Sequence, residues 1–528
     1  FPRLHPAFQG CTPLSKAAPR FPRLHKDTRD PMKVSSRAHR SSALRRLALT
    51  GTAAAAVLAG AALQPVPATA ESLQEALANA YRSNPNLEAA RRGLGATNEA
   101  VPQAKSGWRP SVTVRGQAGR QRTDSEQSGT NLFSGSSGGV EYTTPLSTSL
   151  EVRQPLYRGG STMAGIDRAE FEVKAERARL TSTEQDILFR AAQAYMDVWR
   201  DQAVLRLNEN NVEVLRRQLQ ATEDRFEVGE VTRTDVAQAE SRLARAIADR
   251  TDAQGQLNAS RATYKEVIGR MPENVEQPPV PDGLPANQQS AVSQAREANP
   301  QVRAAEFSYR ARREQTREVA GQLLPRADLV GELAYTEEQQ SADTSTESAE
   351  IRAELTIPLY QQGQVYSQVR EVKQRANEAR LNLRGARNTA EENAVSSWEN
   401  LQAARAQIES LEEQVRAAEI ALEGVRQENQ VGARTVLDVL DAEQELLNAQ
   451  VSLVRAQRNE IVAAYSVLQA VGKLNARAIG LDVQVFEPER NYEAVSGKWF
   501  GWGLPEEQAA QQNAPSELNG GSNGGGSQ

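Results

Sequence analysis

Two carboxylates at Asp438 and Asp441 are three residues apart in a stretch of helical composition, which places them on one helix face. Carboxylates held close to others of their kind raise one another's pKa and attract cations. The plainer reading is a pair of solvated aspartates at a helix start, where negative charge complements the helix dipole, and taken alone the residues favour it. Just upstream lie Val431, Gly432, Arg434 and Thr435. An equivalent set occurs earlier, at Val228, Gly229, Thr232, Thr234 and Asp235. Glycine suits the left-handed end of a helix, and Thr with Asp three residues on suits the start of the next.

Catalytic chemistry has little to work with. The only cysteine is Cys11, and the three histidines are His5, His25 and His39. All lie in a segment expected to be removed, which leaves no thiolate, zinc finger or Ser-His-Asp triad. No catalytic residue, metal site or cofactor motif is expected, and neither phosphate loop nor dinucleotide fingerprint is found. Residues 1–31 lack any pattern, repeat Phe-Pro-Arg-Leu-His, and read as an over-extended start. Residues 32–70 read as a secretory signal, with a basic start, an apolar run from Leu47 to Leu63 and Ala68-Thr69-Ala70 as cleavage site. Residues 1–70 carry 11 Lys/Arg against 2 Asp/Glu; the whole chain has net charge −5, so the remainder stands at −14. An exported chain this acidic is not expected to bind nucleic acid.

The elements that must position these residues come in two copies. The two tip sequences lie 203 residues apart, as do Pro155-Leu156-Tyr157…Gly160 and Pro358-Leu359-Tyr360…Gly363. Upstream, Asn84-Pro85 and Pro110 match Asn299-Pro300 and Pro325 at an offset of 215. Repeat 1 spans 71–270, a Pro-rich linker 271–285, repeat 2 286–475, and a C-terminal segment 476–528 that is expected to be disordered at its end.

Each repeat is expected to run helix, strand, strand, long helix, turn, helix. Residues 161–226 and 361–430 contain no proline and are rich in Ala, Glu, Gln, Arg and Leu. The second keeps a heptad seam through Val369, Val372, Ala376, Ala379, Leu383, Ala386 and Ala390, resuming at Trp398, Leu401, Ile408, Leu411, Val415, Leu422 and Val425. Shorter helices are expected over 72–106, 232–268, 286–320 and 434–474. Four strands of period two are expected in two hairpins, through 111–123, Leu146–Arg153, 326–337 and Ile351–Ile357, with polar loops at 124–142 and 338–347. Alternation with charges on the other face fits a transmembrane barrel or a soluble hairpin with one wet face. Four strands cannot close a barrel in lipid, where every backbone group must be paired. Two copies would supply eight strands and three would supply twelve.

Taken together, residues 71–500 resemble the TolC family of outer-membrane efflux and type I secretion channels. The marks are the VGxxTxxDVxxAE tips at 228–240 and 431–443, the Pro-Leu-Tyr…Gly strand exits, and Lys498-Trp499-Phe500-Gly501. The resemblance implies an α+β membrane protein: a homotrimer with a twelve-stranded β-barrel, four strands per chain, continued by a periplasmic α-helical coiled-coil tunnel. It implies a Gram-negative outer-membrane location with lipid around the barrel, and an exit duct for small molecules or secreted proteins. It implies that a periplasmic adaptor and an inner-membrane pump dock at the tips Val228, Gly229, Thr232, Val431, Gly432 and Thr435. Asp438 and Asp441 would ring the constriction, and Arg434 would latch it shut against Thr234 and Asp235. The family's latch tyrosine falls here at Asn429, which implies a looser or different closed state. A periplasmic adaptor or a soluble coiled-coil scaffold is the competing reading. The first would need one hairpin flanked by small β domains, and the second leaves the strands and the signal unexplained.

Overall fold

The long helices of this chain begin where its strands end, and that continuity governs the architecture. The computed structural model describes residues 71–125, 139–339 and 343–504; the expected start, signal and C-terminal tail lie outside them. In chain order the elements are α1 (Leu73–Ser83), α2 (Pro85–Asn98), α3 (Ala100–Lys105), β1 (Ser111–Ala118), β2 (Gln121–Ser125), β3 (Gly139–Thr143), β4 (Leu146–Arg158), α4 (Ser161–Glu227) and α5 (Arg233–Ile268). The second repeat follows with α6 (Gln288–Ala298), α7 (Pro300–Ala320), β5 (Arg326–Glu337), β6 (Ser345–Thr356), α8 (Gln364–Gln430) and α9 (Val436–Ala470), and α10 (Pro488–Ser496) closes the described chain.

Two expected helices are broken. Residues 72–106 and 286–320 divide at Asn84 and Asn299, where each Asn side chain accepts the N–H two residues on and a proline takes the first helical position. Proline disfavours the helical conformation in the residue before it, so the chain must restart there. The expected loop at 124–142 overlaps a short antiparallel pair, β2 with β3. Its strands are set off from β1 and β4 at Gly119 and Pro145, where the Gly119 N–H donates to the Pro145 carbonyl.

The main sheet has the order β1-β4-β5-β6, antiparallel throughout, with β1 and β6 as open edges. Val112, Val114, Leu150, Val152, Leu333, Ile351 and Leu355 share one face, and most of them are exposed. The other face carries a ladder of charges. Arg115 donates to Glu151 (2.9 Å), Arg153 to Glu354 (3.0 Å), and Arg352 to Glu354 (2.9 Å) and Glu332 (3.1 Å). A sheet with an apolar exposed face, a charged face and two unpaired edges is the pattern of an unclosed barrel segment. Among the described residues no helix is long and apolar enough to cross a membrane.

The helices α4 and α8 have 67 residues each, a length of roughly 100 Å at 1.5 Å per residue. Every residue of the α8 seam named above is buried or half-buried. α4 packs along α5, α7 and α9, and α8 along α9, α7 and α6. The largest core lies part-way along, where α1, α4, α5 and α9 enclose Leu77, Leu188, Met196, Tyr264 and Leu468. There the Tyr195 hydroxyl donates to the Glu71 carbonyl (2.7 Å), and Tyr264 and Arg270 hold the Glu71 carboxylate. Burial pushes the Tyr195 hydroxyl up to about 12, so it stays a donor.

Candidate functional site

The two hairpin tips share a backbone. At the first, Gly229 takes φ 80°, and N–H groups of Gly229 and Glu230 donate to the carbonyls of Phe226 and Arg225. At the second, Gly432 takes φ 76°, and Gly432 and Ala433 donate to Asn429 and Glu428. A residue with a Cβ is strained in that region, which explains glycine at both turns. Each following helix starts with a reciprocal cap. The Thr232 hydroxyl accepts from the Asp235 N–H while the Asp235 carboxylate accepts from the Thr232 N–H and hydroxyl; Thr435 and Asp438 repeat this at 3.2, 2.9 and 2.8 Å.

Asp438 is therefore bound within its own turn. Hydrogen bonds from the Thr435 N–H and then its hydroxyl hold the carboxyl below the usual aspartate range, with a smaller pull from Arg434. Asp441, one turn further, is met by Arg242 of α5 at 2.5 Å, so it ties the second hairpin to the first. Sequence reading places both carboxylates on one helix face; it does not reveal Arg242, because nothing in a helix pattern fixes how one hairpin is rotated against another.

The expected pairing of Arg434 with Thr234 and Asp235 is not made within the protomer. Arg434 donates instead to Glu428 across its own turn, at 2.8 Å, and this pairing raises its already high pKa. The Asp235 carboxylate is taken by its cap. Asn429, at the position of the family's tyrosine, forms a different link. Its amide N–H donates to the Arg434 carbonyl (2.9 Å) and its side-chain oxygen accepts from Arg225 of α4 (3.3 Å). An amide that donates one way and accepts the other reaches both hairpins without an aromatic ring.

Beneath these polar links is a small apolar seat. Val436 and Leu440 of α9 are buried against Val212 and Leu215 of α4 and Ala239 and Ala246 of α5, with Val231 and Leu243 alongside. The apexes stay bare: Val228, Gly229, Thr232, Thr234, Val431, Gly432, Arg434 and Thr435 are exposed. Among the described residues no His/Cys/Asp/Glu cluster could hold a metal ion.

This architecture is shared with known proteins. The family described as outer membrane efflux protein matches residues 73–270 and 291–473, one segment in each repeat. The outer membrane efflux protein BepC of Brucella suis is 32% identical over 455 residues, covering 86% of this chain and 97% of that one. The outer membrane protein TolC of Escherichia coli is 25% identical over 423 residues, covering 77% and 83%. The outer-membrane channel CmeC of Campylobacter jejuni superposes with a TM-score of 0.67 at 17% identity, covering 80% of this chain and 89% of that structure. The fold class read from the sequence, four strands per chain of a trimeric twelve-stranded barrel continued by a helical tunnel, is the class of these channels. The chain belongs to the outer membrane efflux protein family, whose members are channels of the Gram-negative outer membrane with a periplasmic helical tunnel.

Proposed function

We propose that three copies of this chain form an exit duct for small molecules or secreted proteins, closed at rest by the coiled-coil tips. The observation that carries this is the continuity from an unclosed four-stranded sheet, through helices of 67 residues, to two capped tips. Closing the barrel in lipid needs the partners that three copies provide. Three copies would bring six carboxylates, Asp438 and Asp441 from each, around the axis, where they would favour cations. The resting state would be held by Arg242–Asp441 and Arg225–Asn429 within each protomer. Arg434 meets Thr234 and Asp235, in this reading, only across a protomer boundary and only by leaving Glu428. The exposed residues Val228, Gly229, Thr232, Val431, Gly432 and Thr435 would receive a periplasmic adaptor coupled to an inner-membrane pump, since the chain carries no energy-coupling motif of its own.

Single-channel conductance in planar bilayers tests the duct and its gate. The native chain should give a small, cation-selective conductance that a multivalent cation blocks from the tunnel side. Asp438→Asn with Asp441→Asn should keep the channel and lose the block. A channel whose block survives the double substitution would move the constriction elsewhere, and no channel at all would return the adaptor and scaffold readings.

A further inference from the structure

The two internal repeats differ sharply at their first residues. Glu71 is 3% exposed. Its N–H donates to the Asn274 carbonyl (2.9 Å), and its carbonyl accepts from the Tyr195 hydroxyl (2.7 Å). Its Oε1 accepts from the Tyr264 hydroxyl and from Arg270, through Nη2 at 2.7 Å and Nε at 3.1 Å. A parallel bridge to Val275 completes the clamp. The remaining polar atom, Oε2, is buried and has no hydrogen-bond partner among the described residues. A buried carboxylate oxygen without a donor is costly, so the clamp has a place for one more donor.

The second repeat has nothing equivalent. The offset of 215 carries Glu71 onto Ala286, and the offset of 203 carries Tyr195, Tyr264 and Arg270 onto Trp398, Val467 and Lys473. Ala286 is exposed. The difference matches the chain's course, because Ala286 continues from the linker whereas Glu71 follows Ala68-Thr69-Ala70, the expected cleavage site. Charge points the same way. Arg270 also donates to Glu75 of α1 (2.9 Å), so two carboxylates share one guanidinium. Burial, and then the Glu71 carboxylate, push the Tyr264 hydroxyl far above its ordinary value, and Tyr195 of α4 is likewise a neutral donor. Glu273 and Glu276 of the linker are exposed and only add negative charge. The cluster is one cation short.

We propose that this clamp receives the free α-ammonium of Glu71, made when a signal peptidase hydrolyses the Ala70–Glu71 bond. One water is consumed: its oxygen stays on Ala70 as a carboxylate, and the Glu71 nitrogen leaves as an amine that takes up a proton. The peptide nitrogen had one N–H; the ammonium has three. One keeps the Asn274 carbonyl, and another serves Oε2 of the same residue. Its charge balances the second carboxylate, and a buried ion cluster is tolerated when it is paired and hydrogen-bonded throughout. Since the folded clamp occupies both the N–H and the carbonyl of Glu71, cleavage precedes closure of the core around α1. The core thereby distinguishes a processed chain from one that keeps its leader. An ammonium that gains a carboxylate partner has its pKa raised on folding. Its stabilisation is complete below the ordinary α-amino value, about 7.7–8.0, and is lost as pH rises through the raised one.

The test uses the full chain, exported and extracted from membranes. Mass spectrometry of its first tryptic peptide should find Glu71 to Arg82; a mature chain that begins elsewhere overturns the proposal. Inserting Ser-Gly between Ala70 and Glu71 keeps the cleavage signature and displaces the ammonium. The displaced chain should unfold at a lower temperature at pH 7, and the two midpoints should converge as pH rises past the ordinary α-amino range. The same insertion between Pro285 and Ala286, at the matching place in the second repeat, should keep the native pH profile. A second measurement needs no variant and decides the matter even if the displaced chain does not assemble. Acylation of the Glu71 amine by an N-hydroxysuccinimide ester at pH 7, read on the same peptide, should be at least about tenfold slower in the folded protein than in the denatured one, as a pKa raised by one unit requires. Equal rates overturn the proposal. So does a lower midpoint with an unchanged pH profile, which would mean that the inserted residues merely crowd the clamp.

Discussion

The two hairpin tips have one backbone and two surfaces. Both turn on a left-handed glycine and both restart with a Thr-Asp capping box. Yet where the second tip has Val436 and Leu440, the first has Arg233 and Ala237, and where the second has Asp441 the first has Gln238. The second hairpin thus carries the apolar residues that seat it and the acid that ties it, while the first supplies the receiving surface from α4 and α5. Duplication fixed the turn, and divergence made one hairpin a docked element and the other its support. In the proposed duct, a gate built this way would open by lifting α9 off α4 and α5 rather than by unwinding either tip.

The largest effect should follow from breaking the seat. Leu440 is 1% exposed, and truncating a buried leucine to alanine costs about 2–5 kcal/mol. Leu440→Ala should therefore raise hydrogen exchange over the first turns of α9 and increase resting conductance. Ala237→Gly, at the matching exposed position of the first hairpin, should leave conductance alone. If Leu440→Ala leaves both readings unchanged, α9 is not held by this contact and the division between the hairpins fails.

Much of this was legible in the sequence because it is local or periodic. The proline-free helices, the α8 seam and the Thr-x-x-Asp caps each need only neighbours a few residues away, and the 203 offset needs only that short motifs recur in order. The breaks at Asn84-Pro85 and Asn299-Pro300 were visible as matched residues, but helical composition on both sides obscured the restart. β2, wholly polar, was read only as the end of the expected strand 111–123, and the alternation of β3 is too short, Val140 and Tyr142 alone, to stand out beside a Gly/Ser-rich loop. The site was legible in its residues and not in its partners. Arg242 meets Asp441 from 199 residues away, and Glu428 takes Arg434 across a turn, because helix azimuth and turn geometry decide both contacts. The tie at Asn429 was likewise unreadable, since an amide there signals only the missing ring.

A smaller effect should come from the caps, and here the tips should split by function rather than by stability. Replacing a threonine cap by alanine costs about 1 kcal/mol, and the shared geometry makes Thr232→Ala and Thr435→Ala equal in helix-start fraying by hydrogen exchange. Only Thr435→Ala should alter cation block, because it removes the hydroxyl, one of the two Thr435 donors that hold the Asp438 carboxylate in its turn. Equal changes in block from both substitutions would show that the tips act alike and that the surface asymmetry is incidental to gating.

The smallest effect is a pH dependence at the start of α9. The Thr435 N–H and hydroxyl hold the Asp438 carboxyl below its ordinary value, so the ionised form is the one the folded tip favours. A group depressed in the folded state contributes stability that is complete above its unfolded value and is lost as pH falls through the folded one. Between pH 7 and the ordinary aspartate range the cap should hold, and fraying of Val436 to Val439 should begin only on further acidification. Hydrogen exchange, corrected for its intrinsic pH dependence, measures this directly. The outcome also bears on the proposed acidic ring. Six carboxylates crowded on one axis would push in the opposite direction and bring protonation on earlier. Fraying and loss of cation block that start together well above the ordinary aspartate range would mean that crowding outweighs the cap. Block that persists until the cap fails would mean that Asp438 is governed by its own turn, and that the second hairpin brings its charge to the axis already fixed in place.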